Sequence, residues 1–216
     1  MLGFTLSKMN LLILVIAVFA ITSYFLFGLS QIMLEKAGTD YIISTKNIVY
    51  GMIVTSESLC DQKPFYLPSS LEVNPTNTFG RGLYYKLTIK SIDTSEDDIK
   101  KIIFQITPRT KPEQLIAADS FDVNAVVKFF EHDPSDNDPE FNNENLVELD
   151  PQGYPPTNTI IIVMQVVNGK KNVFFVPCTT TSSVRDDCSV RYDKAGEKAF
   201  SGQGFLCEFN PGGTGS

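Results

Sequence analysis

Between Lys8 and Glu35 the chain carries no charged residue, and Leu11 to Leu29 reads LLILVIAVFAITSYFLFGL, with Thr22 and Ser23 its clearly polar interruptions. At ~1.5 Å of rise per residue, about 20 helical residues cross the ~30 Å hydrocarbon layer of a bilayer. The stretch is apolar on every side, so it has no wet face to offer a soluble fold. The pattern predicts a membrane-spanning helix, in contact with lipid over Leu11 to Leu34, with a water-soluble domain behind it.

Past Glu35 the pattern changes. Tyr41, Ile42, Ile48, Val49, Met52 and Ile53 suit a helical stripe, so the anchor is expected to continue as a stalk ending near Gly51. The run Asn47 to Thr55 is also rich in Ile, Val and Tyr, and a strand competes with the helix there. From Cys60 on, the period is that of β-structure. Asp61 to Pro75 holds three prolines (Pro64, Pro68, Pro75) and reads as loop and edge. Leu83 to Ile89 alternates, Ile102 to Thr107 reads as the next strand, closed by Pro108, and Phe121 to Glu131 alternates as a single long strand. Asn145 to Leu149 is a short strand. Thr159 to Val167 is continuously apolar and β-branched, which fits a central strand covered on both faces. Asn168-Gly169 then joins it to Asn172 to Pro177, a strong two-residue hairpin signal. Phe205 to Phe209 is expected to dock as a last strand, and no helical period is read after residue 60.

The predicted fold is mainly β: an antiparallel sandwich-like domain on an N-terminal transmembrane helix. Residues 1–34 form the cytoplasmic tip and anchor, 35–58 the membrane-proximal stalk, 59–210 the β domain and 211–216 (PGGTGS) a disordered tail.

Composition narrows the partners. The net charge of −7 argues against nucleic acid and against tight docking on anionic lipid. The four cysteines, Cys60, Cys178, Cys188 and Cys207, all follow the anchor. Their spacing lacks the paired C-x-x-C of zinc sites, so disulfides are expected. The polar Cys178 to Cys188 segment has little of its own to hold it shut. That favours Cys178 with Cys188 and Cys60 with Cys207, with Cys188–Cys207 the rival pairing.

The first residues, Gly3-Phe4-Thr5-Leu6 running into a long apolar helix, resemble the N-terminus of type IV pilins and pilin-like proteins. The resemblance covers residues 3–34. It implies cleavage after Gly3, a mature chain beginning at Phe4, and self-assembly through the N-terminal helix. The leader Met1-Leu2 has no basic residue, and Lys8 stands where the family has a glutamate. An ordinary signal-anchor is the simpler reading. A signal peptide cleaved after Ser30 is the rival, disfavoured by the length of the apolar run.

Candidate chemistry is sparse. His132 to Glu140 is the densest polar cluster, and Asp133, Asp136, Asp138 and Glu140 are the type of ligand Ca²⁺ takes. Their spacing is not that of an EF-hand, and a solvated acidic loop is the default reading. His132, the lone histidine, has no placed partner, and Arg109 and Lys111 read as a surface turn. Asp186-Asp187 reads as solvent-facing loop. With no serine-hydrolase or phosphate-loop motif, no catalytic residue and no cofactor beyond that calcium alternative are expected. The sequence thus points to a single-pass membrane protein with an extracytoplasmic domain. Its function class is surface interaction, with filament subunit the sharper version and a stand-alone binding module the alternative. A membrane-anchored hydrolase is the least favoured class.

Overall fold

One helix, α1 (Leu2–Tyr50), runs unbroken from the apolar stretch into the β domain and ends in a π-helical turn, Gly51–Thr55. The computed structural model describes residues 2–71, 84–96, 98–131, 139–154, 156–179 and 186–210. Leu83, the acidic run His132 to Asp138, the polar loop 180–185 and the glycine-rich tail 211–216 lie outside the described residues.

The two halves of α1 behave differently. Met9–Leu29 buries nothing against the protein. From Gly38 on, Ile42, Thr45 and Val49 recur at helical spacing and are buried, followed by Met52 and Ile53 in the π turn. Thr45 meets its polar demand by donating to the Tyr41 carbonyl at 3.0 Å. Gly38 marks the first close approach. A Cβ there would lie 3.0 Å from Ile116 and 3.4 Å from Ala117. The strand alternative for Asn47 to Thr55 is therefore overturned, and residues 38–53 belong to the domain rather than to a free stalk.

Eight strands among the described residues form two four-stranded sheets. The first contains β1 (Cys60–Tyr66), β7 (Thr159–Val167), β8 (Lys170–Cys178) and β5 (Val126–Phe129), in the order β1-β7-β8-β5. The second contains β4 (Ala117–Asn124), β3 (Ile99–Pro108), β2 (Tyr85–Asp93) and β6 (Leu146–Leu149), in the order β4-β3-β2-β6. All pairings are antiparallel except β5 with β8. Pro64 lies in β1, an edge strand, where a missing N–H is tolerated.

The main core lies between the sheets. Leu87, Ile89, Phe104 and Ile106 from one sheet meet Ile160, Ile162, Val173 and Phe175 from the other, and α1 adds Ile42 and Val49. Burying one such side chain is worth roughly 1.5–3 kcal/mol. The expected mainly β sandwich-like architecture is the one observed.

The long strand expected from Phe121 to Glu131 is two. It breaks at Ala125, where the chain leaves the second sheet as β4 and enters the first as β5. Val123, Ala125, Val127 and Phe129 nevertheless all point into the same core.

A second correction concerns the C-terminal part. Asp186–Ala199 is a helix, α2, where no helix was expected. Cys188, Tyr192 and Ala195 share its inward face and cover the outer side of β7 and β8, where Ile161, Val163, Phe174 and Val176 lie. The continuous apolar run of β7 is thus buried on both faces, one toward each core. Asp186-Asp187 opens this helix and does not lie in a loop as expected.

Candidate functional site

Of the four proposed calcium ligands, only Glu140 is described; Asp133, Asp136 and Asp138, with His132, lie outside the described residues. Glu140 pairs with Lys198 of α2 at 2.5 Å, so its carboxylate is already engaged. The two ends of the acidic loop are tied together. The Glu131 N–H donates to the Glu140 carbonyl at 2.8 Å, and Phe130 bridges to Phe141. Arg191, almost wholly buried in α2, donates to the carbonyls of Glu131 and Pro177. Among the described residues no group of three or more His, Cys, Asp or Glu is placed to hold a metal ion. Arg109 forms an ion pair with Asp150 at 3.0 Å, and the Lys111 N–H closes a turn on Pro108.

The structure joins Cys60 to Cys207 and Cys178 to Cys188, the two pairs that the sequence argument favoured. The first bridge fastens the segment after α2 onto β1. Phe205 to Phe209 is not a strand. It docks by side-chain contacts instead: the Leu206 N–H donates to Gln165 Oε1 at 3.0 Å, and Gln62 Nε2 donates to the Asn210 carbonyl at 3.3 Å.

Between this segment and α2 lies an open cleft of about 510 Å³, with Tyr192, Phe205 and Phe209 forming its floor and Asp193, Glu197 and Glu208 on its rim. The rings are in contact, with centroids 4.9 Å (Tyr192–Phe205) and 5.3 Å (Tyr192–Phe209) apart. Tyr192 donates its hydroxyl to the Cys207 carbonyl at 2.5 Å. Burial, and then the neighbouring Asp193 carboxylate, push its phenol well above the ordinary tyrosine range. Its hydroxyl thus serves as a hydrogen-bond donor to the segment after α2. No histidine, lysine or arginine is among the residues lining this cleft.

Comparison with protein-family models, with curated proteins and with solved structures finds no match to this chain.

What the arrangement offers chemically is an acidic surface over packed aromatic rings. The remaining electrostatic features are structural. Lys46 of α1 pairs with Asp119 of β4 at 2.5 Å and holds that carboxyl below the usual carboxylate range. Burial, and then Tyr41, push the Tyr85 phenol upward, and Tyr85 donates to the Pro68 carbonyl at 3.0 Å. The cleft was missed from sequence because its floor depends on α2. The usable signals were Asp186-Asp187 as a helix start and Gly202 as a stop.

Proposed function

We propose that this chain is a membrane-anchored surface protein whose β domain stands outside the cytoplasm and acts by interaction rather than catalysis. One observation carries the reading: α1 is built into the core at one end, while Met9–Leu29 at the other buries nothing. An apolar helix of that length needs lipid, or other helices, around its surface. The pairing of all four cysteines suits an oxidising compartment.

The sharper version is a pilin-like subunit, matured after Gly3, that self-assembles through its N-terminal helix. It is supported by the Gly3-Phe4-Thr5-Leu6 run and by the continuity of α1 from that run into the domain. A stand-alone anchored binding module for a surface polymer or small ligand is the second reading, favoured by the acidic cleft beside α2.

Membrane fractionation tests the common part. The intact chain should stay with membranes through carbonate and high-salt washes, and full-length protein released by either would overturn it. The N-terminal residue of the mature protein separates the versions. Phe4 supports the pilin-like subunit, Met1 a plain anchor and Gln31 a secreted protein. Gly3→Val should block processing after Gly3; unchanged processing would remove the pilin-like version.

A further inference from the structure

We infer that the end of the β sandwich nearest the bilayer is itself a lipid-facing surface. Tyr66, Tyr84, Leu115 and Tyr154 settle into the headgroup layer of the membrane that Met9–Leu29 crosses. The inference rests on the membrane-spanning reading of that segment and adds a second, peripheral contact to it.

The direction of α1 fixes which end this is. Gly38 meets Ala117 at the start of β4, Lys46 pairs with Asp119, and the Tyr50 ring packs on Phe121. The helix therefore climbs alongside β4, and the start of β4 is the end toward the span. Strand register places the four residues at that same end. Ala117 is opposite Ile106, and Tyr85, at the start of β2, is opposite Pro108. Tyr84 accepts a hydrogen bond from the Arg109 N–H, and Leu115 lies in the turn between β3 and β4. In the other sheet Tyr66 is opposite Thr159, and Thr157 bonds back to Asp150, closing the loop that carries Tyr154.

The heights agree. Gly38 lies nine residues beyond Leu29, a rise of about 14 Å. The headgroup layer extends ~5–8 Å beyond the hydrocarbon, which leaves a gap of roughly 6–9 Å. The turn projecting from β3 and β4 and the length of a tyrosyl side chain fill it. Ile32 and Met33, exposed on α1, shorten the gap further.

The chemistry agrees as well. These residues are 53%, 54%, 53% and 102% exposed in the order Tyr66, Tyr84, Leu115, Tyr154, and they include every exposed tyrosine of residues 59–210 among those described. Tyrosine combines an apolar ring with a polar tip and collects at membrane–water interfaces. The opposite end carries no exposed tyrosine of residues 59–210 among those described; there Asp93 pairs with Lys100 and Asp98 with Lys170, beside Glu96 and the exposed Ile92. Beside the four near-end residues Arg109 pairs with Asp150 and Lys111 lies two residues from Glu113, while Glu131, which follows β5, adds a carboxylate to the same end. The contact is therefore aromatic and apolar and does not need anionic lipid.

The chain contains no tryptophan, so single tryptophans report position without background. The full chain is reconstituted at high dilution in phosphatidylcholine vesicles containing headgroup spin-labelled phosphatidylcholine. Leu115→Trp and Tyr154→Trp should be quenched by the spin label, because the headgroup level is where interfacial aromatic residues sit. Ile92→Trp, at the far end, should be unaffected. Phe19→Trp, within the span, is read separately with brominated acyl chains and should be quenched. If Phe19→Trp is quenched but Leu115→Trp and Tyr154→Trp behave like Ile92→Trp, the domain stands clear of the bilayer and this inference alone fails. If Leu115→Trp shifts its emission only as protein is concentrated, the face belongs to a second copy, which also overturns it. An unquenched Phe19→Trp would remove the span and the surface contact together.

Discussion

Lys171, just past the hairpin turn in β8, donates through Nζ to the carbonyl oxygen of Ile53 at 2.6 Å. The same ammonium reaches the Ser56 carbonyl at 3.2 Å. Carbonyls at a helix C-terminus lack intrahelical partners and carry the negative end of the macrodipole, so a lysine there satisfies both needs. A residue 118 positions away in sequence thus closes α1 and ties it to the β7–β8 hairpin. Lys171→Met should lower stability by about 1–2 kcal/mol, since charged hydrogen bonds are among the stronger ones. Urea denaturation of the detergent-solubilised chain measures it; an unchanged midpoint would mean water replaces the lysine without loss.

The hairpin itself makes a second prediction. Asn168 and Gly169 both have positive φ, 50° and 76°, as a two-residue turn matching the strand twist requires. No neighbour would crowd a side chain at Gly169, so the cost of Gly169→Val is conformational rather than steric packing. We expect a loss of about 1–2 kcal/mol. Gly169→Asn should lose much less, because Asn tolerates the left-handed region. Equal losses for the two variants would show that φ is not the cause.

The two disulfides should differ in worth. Cys178–Cys188 spans 10 residues and Cys60–Cys207 spans 147. In the chain-entropy model these closures stabilise by about 3 and about 5 kcal/mol. Paired Cys→Ser variants, compared by denaturation, should therefore rank in that order. The reverse order would place the larger effect in the docking of α2 rather than in loop entropy. Non-reducing peptide mapping should return only the Cys60–Cys207 and Cys178–Cys188 peptides.

The Lys46–Asp119 pair gives α1 packing a pH signature. Lys46 depresses the Asp119 carboxyl, so its folded pKa lies below the unfolded value of about 3.9. The pair's contribution is present above that unfolded value and is lost as pH falls through the lower folded one. Lys46→Met should therefore be less stable than the parent at pH 7, with the difference shrinking toward about pH 3. A difference constant across that range would assign the effect to packing. Asp119 is partly exposed, so the effect is modest and weakens with salt.

Much of this fold was legible where one local rule dominates. Thr159–Val167 is β7 to the residue, because a run apolar on both faces occurs where both faces are covered. Asn168-Gly169 marked the turn for a similar reason. The break at Ala125 was not legible. Both sheets face one core, so alternation from Phe121 to Phe129 continues unbroken while the strand changes sheets. Nor was α2. Its inward face consists of Cys188, Tyr192 and Ala195, beside a buried arginine, Arg191. Such a stripe is too small and too polar to register as hydrophobic period. It is buried only because Phe174, Phe200 and Phe205 close around it from elsewhere in the chain.

The shared use of α1 has a mechanical consequence. A pull applied through Met9–Leu29 would reach the β domain along the helix axis, alongside β4, through contacts distributed from Gly38 to Ile53. That is shear loading: the contacts must give way together rather than one after another, as in peeling a strand from an edge. Survival under tension is set by the unfolding rate rather than by equilibrium stability. A load entering through this helix is therefore shared among its contacts with the domain instead of falling on one of them.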